Sequence, residues 1–135
     1  MEENKKKTVL ITEDEPAMLE ILADKFTENG ITALQARNGE EGLQIALEKH
    51  SDLIVADILM PKMSGMEMLK KLREDAWGKT VPVIMLTNVS ADSSTIIKEI
   101  LVYQPAYYFI KSDIKLDNVV EKIKEVLTAK QPKTQ

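Results

Sequence analysis

Short, solidly apolar runs alternate along the chain with stretches whose apolar residues recur every three or four positions. Thr8-Val-Leu-Ile-Thr12 is compact and β-branched, the mark of a buried strand. Behind it, Pro16 suits a first helical turn, and Met18, Leu19, Leu22, Ala23 and Phe26 repeat at helical spacing. Asn29-Gly30 supplies the stop, because glycine accepts the left-handed geometry of a helix end. Ile31 to Ala36 reads as a second strand and Asn38-Gly39 as a turn, and Leu43, Ala46 and Leu47 mark a second helix. Leu53-Ile-Val-Ala56 is a third strand ending in Asp57. Pro61 and Gly65 break the chain before a third helix, whose inward face holds Met66, Leu69 and Leu72. Val83 to Leu86 gives a fourth strand, and Ile96, Ile97, Ile100 and Leu101 a fourth helix. Tyr107 to Ile110 is a fifth strand. Val119, Val120, Ile123, Val126 and Leu127 define a fifth helix, the clearest periodic signal in the sequence.

Five repeats of strand then helix imply a parallel sheet covered on both faces. Right-handed crossovers make that sheet doubly wound, an α/β fold. The sequence divides into a basic polar lead-in at 1–7, one domain over 8–128 and a tail at 129–135, with no internal repeat. In such folds the working site lies beyond the carboxyl ends of the strands.

Composition removes several function classes. An apolar fraction of 44% is too high for a disordered chain. The absence of cysteine excludes disulfide scaffolds, thiolate zinc sites and cysteine nucleophiles. Apolar runs such as Leu53 to Ala56 fall far short of the ~20 residues of a membrane helix. No secretory apolar core follows Met1 to Lys7, so a cytoplasmic location without membrane contact is expected. A net charge of −4 gives no general pull toward nucleic acid, and no direct nucleic-acid partner is expected.

The residues just past the strands carry the chemistry. Glu13, Asp14 and Glu15 follow the first strand, Asp57 the third, Thr87 the fourth and Lys111 the fifth. Carboxylates brought together repel and take up protons unless a cation holds them ionised. Hard oxygen ligands with few protein contributors suit Mg²⁺, which keeps several waters. A lysine and a hydroxyl opposite the metal would hold a small oxyanion, which is equipment for phosphoryl transfer with Asp57 as nucleophile.

Four fragments in order, each at a strand end, resemble the receiver domain of two-component response regulators over about residues 7 to 128. They are Val9-Leu-Ile-Thr-Glu-Asp-Glu-Pro16, Leu53-Ile-Val-Ala-Asp-Ile-Leu-Met-Pro-Lys-Met-Ser-Gly65, Met85-Leu-Thr87 and Tyr108-Phe-Ile-Lys111. The resemblance implies a flavodoxin-like (βα)5 sheet with strand order 2-1-3-4-5. It implies that Asp57 accepts phosphate from the phosphohistidine of a sensor histidine kinase or histidine phosphotransfer protein. Asp14, Asp57 and the backbone carbonyl of Leu59 would ligate Mg²⁺, with Glu13 acting through a water. Lys111 would pair with the phosphoryl group, Thr87 would hydrogen-bond it, and Tyr108 would change rotamer when Thr87 moves. The chain would then be a stand-alone phosphorelay protein and not an independent enzyme. Its face of fourth helix, fifth strand and fifth helix would switch for a downstream protein or a second copy.

Other residues call for plainer roles. Glu15 reads as a solvated helix start, His50 as an exposed helix end, and Met60, Met63, Met66 and Met68 as packing around the third helix. One of Tyr107, Tyr108 and Phe109 must be buried for core reasons. Three positions depart from the family pattern: Ser112 replaces a usual cis proline, Gln104-Pro105 a usual Gly-Ala, and Asn88 a usual small residue. A haloacid-dehalogenase-like hydrolase would need a second aspartate where Leu59 stands. A flavin carrier would need a phosphate loop where Glu13, Asp14 and Glu15 stand. The positions two beyond Asp57 and two beyond Thr87, which in the family can orient a hydrolytic water, are the apolar Leu59 and Val89.

Overall fold

The computed structural model describes residues 6–87, 98, 102, 105–111 and 114–129. Its elements are β1 (Thr8–Thr12), α1 (Pro16–Glu28), β2 (Thr32–Ala36), α2 (Gly39–Lys49), β3 (Leu53–Asp57), α3 (Gly65–Arg73), β4 (Val83–Thr87), β5 (Tyr107–Ile110) and a C-terminal helix (Leu116–Ala129). The five strands form one sheet in the order β2-β1-β3-β4-β5, every pair parallel, as the sequence implies. Lys98 and Val102 are helical, while Ile96, Ile97, Ile100 and Leu101 of the expected fourth helix lie outside the described residues. No helix among the described residues is long and apolar enough to cross a membrane.

Alternation along the strands feeds two cores. Val9, Ile11, Leu53, Val55, Ile84 and Leu86 meet Leu19, Leu22 and Phe26 of α1 and Val119, Val120 and Ile123 of the C-terminal helix. Leu10, Ile54, Ala56, Val83 and Met85 meet Ala46 of α2 and Met66, Met68, Leu69 and Leu72 of α3. Burial of a large apolar side chain contributes about 1.5–3 kcal/mol, so β1 and β3, covered on both faces, anchor the sheet. A Lys25–Asp117 ion pair at 2.7 Å joins α1 to the C-terminal helix at the surface. That Asp117 hydrogen bond, and the charge behind it, raise the Lys25 pKa and lower that of Asp117.

Three expectations change. The Asn38-Gly39 turn is the helix start itself: Asn38 Oδ1 accepts the Glu41 N–H at 2.9 Å, and Gly39 is the first residue of α2. The inward face of α2 is Gly39, Gly42 and Ala46, whereas Leu47 is 38% exposed. Small residues face inward because a Cβ on Gly42 would stand 2.6 Å from Thr12 Oγ1 and 2.8 Å from its Cγ2. At β5, the edge strand of the sheet, Tyr107 and Tyr108 are both exposed, and Phe109 is only partly buried against the first core. Tyr107 instead leans on Phe109 at 4.9 Å and lies under Lys122 Nζ at 4.2 Å.

The edge of the sheet away from the strand carboxyl ends is tied by side chains. His50 ends α2 in the left-handed region (φ 51°) and stacks on Trp77 with centroids 4.4 Å apart, exposed as expected yet partnered. Asp75 Oδ2 accepts the N–H groups of Trp77 and Gly78 at 3.0 and 2.9 Å, and Arg73 donates to the Gly78 and Val81 carbonyls. Gly78 sits so close to the end of α3 that a Cβ would collide with the Leu72 carbonyl oxygen. Gly78→Ala should therefore destabilise the domain by roughly 1–3 kcal/mol, the usual cost of overpacking. Urea unfolding checks it: a lowered midpoint with unchanged slope is expected, and an unchanged midpoint removes the collision.

Candidate functional site

Register brings the charged residues together. Thr12 pairs with Ala56, so Glu13 and Asp57 leave β1 and β3 at one level. Asp57 pairs with Leu86, and Thr87 pairs with Ile110, which puts Lys111 at the same edge immediately after β5. The Glu13 N–H donates to the Ala36 carbonyl at 3.0 Å, so the chain still follows the sheet where its first acid appears. Parallel strands place all these residues at one end, where an antiparallel sheet would have scattered them.

Lys111 Nζ lies 3.1 and 3.2 Å from the two Glu13 carboxylate oxygens and 3.1 Å from Asp57 Oδ2. The side chains are nearly sealed, with 1% of Glu13 and 8% each of Lys111 and Asp57 exposed. Asp57 Oδ1 accepts the Leu59 N–H at 3.2 Å, so both Asp57 oxygens are engaged and the plane of the carboxylate is set. The Glu15 N–H donates to Glu13 Oε2 at 3.1 Å, and the Glu15 carboxylate reaches Lys111 at 3.8 Å. Glu15 is thus solvated as expected and also touches the site from outside, a contact with no signature in the sequence beyond three adjacent acids.

Burial, then the charge of Asp57, push the Glu13 carboxyl above its ordinary range, and the bonds from Lys111 and from the Glu15 backbone do not cancel the rise. Burial works against the Lys111 charge, but its bonds to Glu13 and Asp57 and their charges together outweigh it, holding the ammonium above its usual value. Two buried acids share one cation. The cluster remains acid-rich.

Glu13, Asp14 and Asp57 each offer a carboxylate oxygen, and these oxygens all lie within 4.8 Å of one another. Asp14 is exposed and the other two are buried, so the triad opens toward solvent on one side. Hard anionic oxygens, an uncompensated charge and an open side fit a Mg²⁺ ion that keeps part of its water.

The loop after Asp57 is tightly shaped. The Met63 N–H donates to the Pro61 carbonyl and the Gly65 N–H to the Ile58 carbonyl, each at 2.7 Å. Lys62 between them adopts a left-handed conformation (φ 69°), which a side-chain-bearing residue holds only where its surroundings fix it. Gly65 is glycine because a Cβ there would strike the Asp57 carbonyl oxygen. Met66 and Met68 are buried beneath α3 and Met63 packs beside them, whereas Leu59 stands 58% exposed.

Thr87 ends β4 at the site edge, but its side chain lies outside the described part of the structure. Tyr108 pairs with Met85 on β5 and is 44% exposed. Asn88, Val89, Gln104 and Ser112, with the Lys111–Ser112 bond, lie outside the described residues.

A profile of the response regulator receiver domain matches residues 9–124. The probable transcriptional regulator ycf27 of Porphyra purpurea is 38% identical over 85 residues, 63% of this chain and 34% of that protein. The polar-differentiation response regulator DivK of Brucella ovis is 37% identical over 81 residues, 60% of this chain and 66% of that protein. The chain therefore spans about a third of the first and just under two thirds of the second. The signal receiver domain of a signal transduction histidine kinase from Syntrophus aciditrophicus superposes with a TM-score of 0.83 at 28% identity, covering 96% of each chain. The profile runs through every strand end that supplies the acid–lysine cluster, and the chain belongs to the response regulator receiver domain family.

Proposed function

We propose that the protein is a phosphoacceptor of a two-component phosphorelay, with Asp57 taking the phosphoryl group from a phosphohistidine donor. The observation that carries this reading is the convergence of Glu13, Asp57 and Lys111 within 3.2 Å at the ends of three parallel strands. A structural ion pair would need one acid for one lysine; this cluster holds an excess of negative charge at an opening to solvent.

In the transfer, an Asp57 carboxylate oxygen forms the new O–P bond as the N–P bond to the donor imidazole breaks, and the imidazole keeps the nitrogen electron pair. Lys111 is already 3.1 Å from Asp57, so it meets the negative charge gathering there with little rearrangement. The Leu59 N–H steadies the other oxygen of the nucleophile. Asp14, Asp57 and the Leu59 carbonyl would hold Mg²⁺, with Glu13 acting through a water, and the ion would supply charge neutralisation for the acids and the transferring group. The Thr87 hydroxyl donates to a phosphoryl oxygen, and Tyr108 follows Thr87. The donor is a sensor histidine kinase or a histidine phosphotransfer protein. The output acts through the face that includes β5 and the C-terminal helix, toward a protein partner or a second copy. The protein turns over no external substrate beyond its own phosphorylation and dephosphorylation.

Mg²⁺ should stabilise the fold by mass action, by about 2.7 kcal/mol at a hundredfold excess over its Kd. Thermal melts with and without Mg²⁺ read this directly, and Asp14→Asn should lose most of the shift. An Asp14→Asn protein that keeps the full shift is not missing a ligand, and Asp14 then leaves the metal set. Trp77 should stay silent in fluorescence, since it stacks on His50 at the far edge of the sheet.

The phosphorylated state should be long-lived. Hydrolysis needs a water held in line with phosphorus, and Leu59, exposed beside Asp57, offers that water no hydrogen bond. With the protein charged by a small-molecule donor and the donor removed, Leu59→Asn should lose phosphate faster, by up to about a hundredfold. Decay of the wild type as fast as the variant would show that exclusion of water by Leu59 does not set the lifetime.

A further inference from the structure

Among the described residues, the side chains of the β2–α2 connection make no hydrogen bond to Glu13, Asp14, Asp57 or Lys111, yet its backbone touches both segments that build the site. On one side the Ala36 carbonyl accepts the Glu13 N–H at 3.0 Å, fixing the chain at the first acid. On the other side Gly39 is buried against Met63, in the loop between Asp57 and α3. A Cβ at Gly39 would collide with the Met63 carbonyl oxygen and stand 2.8 Å from the Met63 carbonyl carbon and Cβ. Backbone meets backbone there, so no side-chain rotation relieves the contact.

The turn itself is stiff. Asn38 Oδ1 accepts the Glu41 N–H at 2.9 Å, and Glu41 Oε1 accepts the Arg37 N–H at 2.7 Å. The Gly42 N–H closes the first helical bond onto the Asn38 carbonyl at 2.9 Å. The loop it presses on is tightly shaped around one strained residue. The Met63 bond to Pro61 and the Gly65 bond to Ile58 enclose the left-handed Lys62, and such a residue persists only under outside constraint.

From these contacts we infer that the β2–α2 turn, through Gly39, is a positioning element that sets the distance between the Glu13–Asp14 acids and the Leu59 backbone in the loop that follows Asp57. Gly39 acts on the metal and phosphoryl site through Met63 and touches neither. Glycine is required because the seat of the Met63 carbonyl is the bare Cα of Gly39. The inference rests on the phosphoacceptor reading only for what the spacing serves, since the brace itself is a contact between two backbones.

Gly39→Ala tests it against Gly78→Ala, a second overpacked glycine at the far edge of the sheet. Both variants should lose stability in urea. Only Gly39→Ala should also weaken Mg²⁺ binding, read from Mg²⁺-dependent melts, by about tenfold or more, as removal of groups that support metal ligands does. In the Mg²⁺-free protein, hydrogen exchange at the Leu59, Met63 and Gly65 amides should accelerate in Gly39→Ala and stay at wild-type rates in Gly78→Ala. If Gly39→Ala does not fold, Asn38→Ala loosens the same turn without adding an atom at the contact. It should shift Mg²⁺ affinity and loop exchange in the same direction by a smaller factor. A wild type that gains no stability from Mg²⁺ sinks the metal-dependent reading, while the exchange data still judge the brace. Mg²⁺ affinity within twofold of wild type, with unchanged exchange at those three amides, in whichever of Gly39→Ala and Asn38→Ala folds, overturns the brace.

Discussion

One ammonium between two buried carboxylates holds the working end of this protein together. Glu13 and Asp57 leave adjacent strands at the same level, and their charges repel in a setting with little water. Lys111 Nζ reaches both within 3.2 Å. Taking one partner from a buried charged group typically costs about 3–5 kcal/mol, a large part of what a domain of this size has to spare. The lysine is therefore a structural requirement before it has any catalytic one. The same charge imbalance that makes it necessary leaves the site able to accept a second cation.

That arrangement follows from topology. A lysine 98 positions from Glu13 can reach it because β1, β3, β4 and β5 run parallel and end together. Each strand is driven into the sheet by apolar residues facing two cores, so the residue that follows it has one place to go. The hydrophobic layers thus hold the charges close, at a separation the charges themselves resist. Stability is spent at the carboxyl edge and recovered in the layers beneath it. At the opposite edge the charged Asp75 and Arg73 bond the backbone of the Trp77–Val81 segment, beside the His50–Trp77 stack.

The parts legible in the sequence were those with a strong local signal. The four helices and five strands among the described residues follow from periodicity, and the order of strand-end residues points to Glu13, Asp14, Asp57 and Lys111. The α2 face was legible only in part: Ala46 is buried and Leu43 packs against the second core as expected, but Gly39 and Gly42 escape a reading that looks for large apolar residues. Leu47 drew the eye and is exposed. Glycine is usually read as a turn, and Asn38-Gly39 does begin a helix; only close backbone approach explains why that helix starts on glycine. The partial burial of β5 escaped for a related reason, since an aromatic triplet signals a strand without saying that one side of it is open. The reach of Glu15 to Lys111 depended on the rotamers of two long side chains, which no pattern encodes.

The same geometry bears on how a local charge could be felt at a distance. A ligand or modification shifts a two-state element only through contacts that differ between the states. At this edge the movable contact is Lys111, whose bonds are divided among Glu13, Asp57 and, more weakly, Glu15. Added negative charge at Asp57 competes with Glu13 for that ammonium. Lys111 follows β5 directly and its side chain is 8% exposed. A larger shift of Lys111 toward a new partner would pull on the strand before it. That strand is β5 with its exposed tyrosines, the least covered strand of the sheet. A pull on Lys111 would therefore fall on the least covered strand, while β1 and β3, buried on both faces, hold the acids.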